Sequence, residues 1–377
     1  MYIADRIKKR LSENLSNIIG WRTIRKYVVI ESDDWGSVRM PSKKVFDDML
    51  KANIRVDKCP FCSFDSLASE DDLSELFEVL KSVSDMNGNH PVFTANTVVA
   101  NPDFEKIYNT GFKEYHYEPF TETLKRYPDH KNSLLIWKQG LDAGLFHPQL
   151  HGREHLHVNR WMRALSEGSY EINLAFNNNF YGISTNLFSE GKKSFLAAFD
   201  ADSEEDIIMH ATIINEGVRL FNTIFGYYPR TFTAPNYIWP RHLEGYLHKH
   251  NINIIQGSKI QLEPDLHTGY IRKRHFTGQK NPNSQIYTVR NCLFEPSLSR
   301  STDWLTACLR QIQTAFFWSK PAIIGTHRVN YIGSIVEENR TNNMILLSQL
   351  LRQIVKRWPD VEFISSSDLG NIILKNE

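Results

Sequence analysis

Short, continuously apolar runs alternate with stretches of helical periodicity along most of this 377-residue chain, and that rhythm limits the folds open to it. "KYVVIES" (26–32), "HPVFTANTVVA" (90–100), "LFHPQLHG" (145–152), "RTFTAP" (230–235), "INIIQGS" (252–258), "AIIGTH" (322–327) and "VEFISSS" (361–367) read as strands. Strands buried on both faces carry such runs, because neither face needs to be polar. Between them, apolar residues recur three and four apart over 70–84, 132–144, 204–226, 242–251, 305–319 and 342–359, the spacing of amphipathic helices. Strand–helix units in this order build α/β folds with a parallel sheet. The expectation is a distorted (β/α) barrel with about seven parallel strands, ahead of an open doubly wound sheet. No GxGxxG or GxxxxGK loop is present to cradle a nucleotide phosphate.

Composition narrows the function class. At 41% apolar and 23% charged residues the chain reads as globular. A formal net charge of +1 gives no footprint for nucleic acid. Residues 1–25 are expected to form a basic helical extension. Arg6, Lys8, Lys9, Arg10, Arg22 and Arg25 surround an apolar set, Ile7, Leu11, Leu15, Ile18 and Ile19. That set suits docking on the domain, with weak peripheral contact to an anionic membrane as the alternative. Residues 26–370 are expected to form a single barrel domain with an irregular insertion at about 157–200. No run is long and apolar enough for a transmembrane segment, and no signal-peptide pattern opens the chain, so the expected location is cytoplasmic. Cys59 and Cys62, in "CPFC", have no second pair nearby to complete a zinc site and read as structural. "RKRH" (272–275) reads as a solvated basic loop, with contact to a phosphate or acidic sugar as the alternative.

Chemistry-bearing residues gather where strands end. The first strand delivers Asp33 and Asp34; the third delivers His151, Gly152, Arg153, Glu154 and His155. Pro235, Asn236 and Tyr237 follow "TFTA", and Thr326, His327 and Arg328 follow "AIIG". In α/β barrels the C-terminal edge of the strands is where ligands bind. Two adjacent carboxylates repel each other unless a cation sits beside them. Two imidazoles and one carboxylate form a facial triad for a divalent ion with positions left open. Asp34 and His151 suit two of those places. For the third, His155 and His147 are each four residues from His151. Spacing alone leaves that choice open; Gly152 favours a turn that brings His155 back. Glu295, in "RNCLFEPS", either reaches the site or closes a surface turn.

This ordered series resembles the polysaccharide deacetylase superfamily, carbohydrate esterases of the NodB-homology type. "ESDDWGS" is similar to the Asp-Asp-Gly motif of that family, with Trp35 inserted before Gly36. "LHGREH" is similar to its His-Gly-x-x-His motif, and "FTAPNYIW" to its Arg-x-Pro-Tyr wall, with Thr233 where arginine is expected. His327 in "IIGTHRVNY" is similar to its late histidine. The resemblance spans about residues 26 to 368. It implies a metal-dependent hydrolase removing an acyl group, N-acetyl above all, from a sugar or polysaccharide precursor. It further implies Asp33 as catalytic base and His327 as general acid. The ligands would be Asp34, His151 and His155, with His147 as the rival, and the ion one divalent metal: zinc first, then cobalt, nickel or manganese. Trp35, Arg153, Pro235, Asn236, Tyr237 and Arg328 are expected to bind substrate. Arg153 and Arg328 are also the candidates to replace the arginine missing at Thr233. A cytoplasmic member would act on a soluble, nucleotide-linked or lipid-linked sugar. Two other functions are open: a metal-independent glycoside hydrolase using Asp33 with Glu295 or Glu154, and a catalytically degenerate glycan-binding protein.

Overall fold

The computed structural model describes Leu11, residues 13–184 and residues 193–375. In chain order its strands are β1 (Lys26–Trp35), β2 (Phe93–Val98), β3 (Ala100–Pro102), β4 (Tyr117–Pro119), β5 (Phe146–Gly152), β6 (Thr231–Thr233) and β7 (Ile254–Gly257). Then follow β8 (Ile260–Asp265), β9 (Gly269–Arg274), β10 (Ile286–Val289), β11 (Cys292–Leu293), β12 (Ala322–His327) and β13 (Val361–Phe363). Nine form one sheet in the order β10-β7-β6-β5-β2-β1-β12-β11, with β13 pairing the start of β1. Every pairing in it is parallel. All seven expected strands are present; β10 and β11 are additional.

These two short strands complete the curl. β10 pairs β7 at one edge, while β11, separated from β10 only by Arg290 and Asn291, pairs β12 at the other. The edges of the distorted barrel are thus joined through the chain itself. The remaining strands make two antiparallel pairs, β3 with β4 and β8 with β9. β9 contains the "RKRH" stretch as far as Arg274, so that stretch is a hairpin strand rather than a loop.

Neither face of the main sheet meets bulk water, but the two faces differ. On β1, Val28 and Ile30 point outward into the largest apolar cluster, under the surrounding helices. Tyr27 and Val29 point inward and pack with Ile254, Ile286 and Ile323 against Leu369 and Ile373. The last two belong to the C-terminal helix Ser366–Lys375, which plugs the bottom of the barrel. Two residues further up β1 the interior turns polar, with Glu31 and then Asp33, each no more than 3% exposed. Strand alternation produces these layers, because residues i, i+2 and i+4 share one face. The chemistry therefore sits above an apolar floor, at the C-terminal edge of the strands.

The amino-terminal helix docks differently from the expectation. Its described residues 13–18 are helical. Glu13 binds Arg310, Asn14 accepts from Trp318 Nε1, and Asn17 accepts from Asn291, so its polar side meets the domain. Leu11, Leu15 and Ile19 are more than half exposed. Ile7 and the basic residues 6–10 lie outside the described residues. In the stretch expected to be irregular, two helices occur, Val158–Ser166 and Tyr170–Asn177. No described helix is long and apolar enough to cross a membrane.

Candidate metal centre

Regular alternation would send Asp33 and Asp34 to opposite faces of the sheet. The ladder between β1 and β2 prevents this. Ser32 pairs with Ala95 and Trp35 with Thr97, leaving two residues of β1 opposite one of β2. Such a bulge re-aims side chains at a strand end. Asp34 takes the left-handed conformation, with φ 73°. Gly36 follows at φ 84°, where a Cβ would lie 2.2 Å from the Val98 carbonyl oxygen, so only glycine fits. A second shift occurs on β5. Leu150 pairs with Thr97 and Gly152 with Val98, which leaves His151 bulged. Gly152, at φ 118°, then turns the chain so that His155 returns toward His151.

The two imidazoles converge on one carboxylate. His151 Nε2 lies 3.5 Å and His155 Nε2 3.2 Å from Asp34 Oδ1. All three residues are no more than 5% exposed. Bonds of about 2.0–2.1 Å to a tetrahedral ion place its ligand atoms about 3.3 Å apart, so these separations fit a shared divalent ion. His151 Nδ1 is 2.7 Å from the Thr233 carbonyl oxygen, which fixes the ring with Nε2 facing Asp34. His155 Nδ1 has no such anchor among the described residues. Burial lowers the His155 pKa and keeps that ring neutral. Burial also works against ionising Asp34, but His155 and the hydrogen bonds from both imidazoles hold its carboxyl well below the usual range. An anionic carboxylate with a neutral imidazole is the protonation state a metal requires.

Asp33 has a separate environment. Arg290 grips it in a fork, Nη1 to Oδ2 at 2.6 Å and Nη2 to Oδ1 at 2.7 Å, and Asn96 Nδ2 donates to Oδ1 at 2.7 Å. Burial opposes the charge, yet Arg290 outweighs it and keeps Asp33 ionised. Arg290 Nε binds Glu31 at 2.7 Å, and Nη1 also donates to the Tyr237 hydroxyl at 2.8 Å. Gly325 on β12 makes room for this side chain, since a Cβ there would lie 2.7 Å from Arg290 Cδ.

His327 closes the site from β12, where it pairs with Asp33 across the ladder. Its Nε2 is 3.8 Å from Asp33 Oδ2, and its Nδ1 is 2.6 Å from Glu295 Oε1. Asn330 Nδ2 donates to the other Glu295 oxygen at 2.8 Å. Burial alone would lower the imidazole pKa. Glu295, Asp33 and Asp34 reverse this and raise it to about 9.

Several expected residues lie elsewhere. His147 sits at the start of β5; it is four steps along the strand from His151, about 13 Å, too far to share an ion. Its ring stacks on Tyr227, with centroids 5.8 Å apart. Trp35 is 1% exposed and packs edge-on against Trp137 and Phe146, so it belongs to the core and not to a groove. Arg153 is buried against Glu154 and Glu216. Arg328 is buried against Asp65 and the Ser37 carbonyl. Neither arginine reaches Asp33, and neither has a free face for substrate. The arginine that does meet Asp33 is Arg290, which the motif pattern did not single out. Pro235 is buried, Asn236 is exposed, and Tyr237 is half-buried with its hydroxyl on Arg290. Glu295 reaches the site through His327.

No family model matches the sequence, and no curated protein matches it. Among solved structures, similar chains include two from deacetylase-type proteins. One, assigned as a polysaccharide deacetylase from Mycobacterium smegmatis, has 10% identity and a TM-score of 0.48, over 95% of this chain and 93% of that one. The other, a probable polysaccharide deacetylase from Pseudomonas aeruginosa PAO1, has 10% identity and a TM-score of 0.47, over 94% and 92%. A 4-alpha-glucanotransferase from Thermococcus litoralis is about as similar, at 9% identity and a TM-score of 0.46, over 94% of this chain and 40% of that one. At these identities and TM-scores the likenesses assign no reaction to this chain.

Proposed function

We propose that this chain is a divergent member of the polysaccharide deacetylase superfamily. In this reading it is a metal-dependent hydrolase that removes an acyl group, N-acetyl first, from a sugar or polysaccharide precursor. The observation that carries the reading is the meeting of Asp34, His151 and His155 at hydrogen-bond to ligand–ligand separations, beside an independently held Asp33. A divalent ion on those three residues, zinc first with cobalt, nickel or manganese as alternatives, would supply a Lewis acid for the carbonyl and lower the pKa of water.

The remaining steps fall to the chain's own side chains. Asp33, kept ionised by Arg290, accepts the proton of the attacking water. Arg290 and Asn96 fix the direction of its lone pairs. His327, protonated at neutral pH, gives a proton to the departing amine nitrogen. Glu295 holds the charge on that imidazole and aims Nε2 toward Asp33. Asn236 and Tyr237 supply the wall against which the sugar rests.

A glycosidase needs a protonated carboxylic acid beside its second carboxylate. Asp33 is gripped by Arg290, Glu295 by His327 and Asn330, and Glu154 by Arg153. Each of the three is taken up by a partner in the structure. Arg290 also removes the reason to regard the Thr233 substitution as a mark of degeneracy. The test is to offer metal-loaded protein a panel of N-acetylated monosaccharides, oligosaccharides and nucleotide-linked sugars. Acetate release that stops on chelation and returns with metal supports the reading. Release of sugars without acetate, unaffected by chelation, favours the glycosidase.

A further inference from the structure

Among the described residues, six arginines are at least nine-tenths buried: Arg39, Arg153, Arg160, Arg290, Arg328 and Arg340. Five of them hold carboxylates. Arg39 is the exception. It is 5% exposed, and its Nε and Nη1 have no hydrogen-bond partner among the described residues. Asp34 and Asp65 offset its charge from a distance, but neither is hydrogen-bonded to it, and buried N–H groups left without an acceptor are costly. Arg39 lies five residues beyond Asp34 in the loop leaving β1. Its Cζ is 5.0 Å from the centre of the Phe61 ring, and that ring stands edge-on to His327 at 5.3 Å. Arg39 thus stands one aromatic ring away from the proposed acid. Its charge also acts on Asp34 and on His155.

Guanidinium N–H groups match a carboxylate in a two-point contact.

We infer that Arg39 is the receptor for a carboxylate bound at the metal centre. The carboxylate is either carried by an acidic sugar substrate or released as the acid from the acyl group. This deepens the deacylase reading and rests on it. The test uses calorimetric titration of the full-length, metal-loaded protein with acetate, with glucuronate and with neutral glucose as control, alongside its metal content. Wild type is expected to bind at least one carboxylate, and Arg39→Gln to weaken it about tenfold or more with metal content unchanged. Tighter acetate than glucuronate identifies the released acid; the reverse identifies an acidic sugar. If Arg39→Gln fails to fold, judged by its thermal transition, Arg39→Lys decides, because it keeps the charge and loses the fork. Its affinity should fall several-fold. No carboxylate binding in wild type, or equal affinity in the folded variants, overturns the assignment. Carboxylate binding that depends on Arg39 in a wild type that takes up no metal keeps the receptor and overturns the deacylase.

Discussion

Asp33 and Asp34 are neighbours in sequence and live in different fields. One faces Arg290 and Asn96; the other faces two imidazoles. Their substitution is therefore expected to have different consequences. His327 adds a pH dependence whose sign follows from its raised pKa. In the proposed reaction the protonated imidazole is the active form, so kcat/KM should hold below, and fall as pH rises through, about 9. Glu295→Gln removes the anion beside Nδ1 and should move this alkaline limb to lower pH. A pH profile with the limb unmoved in that variant would contradict the pairing. Residue identities at strand ends were legible in the sequence, because histidines and aspartates there are scarce and chemically specific. Arg290 was not. It lies 57 residues beyond Thr233, where the resemblance places an arginine, and only the curl of the sheet brings it to Asp33. Trp35 was misplaced for a related reason: sequence adjacency to a site residue says nothing about which face a bulge presents.

At the scale of elements, two bulges shape the centre. They break the alternation of β1 and β5 at Asp34 and at His151. Gly36 is what lets β1 leave its bulge beneath the Val98 carbonyl. Gly36→Ala forces a side chain into left-handed backbone against that oxygen and is expected to destabilise by about 1–3 kcal/mol. It should also weaken metal binding, because Asp34 lies just ahead of the turn. Thermal denaturation and metal titration of the variant check both effects. Apolar runs made seven strands of the main sheet legible. β10 and β11 are short and interrupted by Arg290 and Asn291, so periodicity does not mark them. The docking of the N-terminal helix was misread because an apolar stripe ordinarily faces a core. Here Glu13, Asn14 and Asn17 make the contacts instead.

In the whole molecule, Arg290 links the open seam of the barrel to the candidate site. It stands between the two strands that form the edges, and its guanidinium ties Glu31 to Asp33 inside. Glu31 in turn accepts from Ser366 at the head of the C-terminal helix, 2.9 Å away. Arg290→Gln would leave two buried carboxylates without their cation. Breaking a buried ion pair on one side typically costs about 3–5 kcal/mol, so the unfolding midpoint should fall substantially. A midpoint like that of wild type would show that this layer does not hold the barrel together.

The central claim is that one carboxylate binds an ion and its neighbour does not. The most direct measurement is the metal content of wild type, Asp34→Asn, His151→Ala and Asp33→Asn after purification and reloading. The account predicts near-stoichiometric divalent metal in wild type and in Asp33→Asn, and its loss in the other two. Asp33→Asn should meanwhile lose about 10²- to 10⁴-fold in turnover. A wild type that takes up no divalent ion, or equal metal loss from Asp33→Asn and Asp34→Asn, would contradict it.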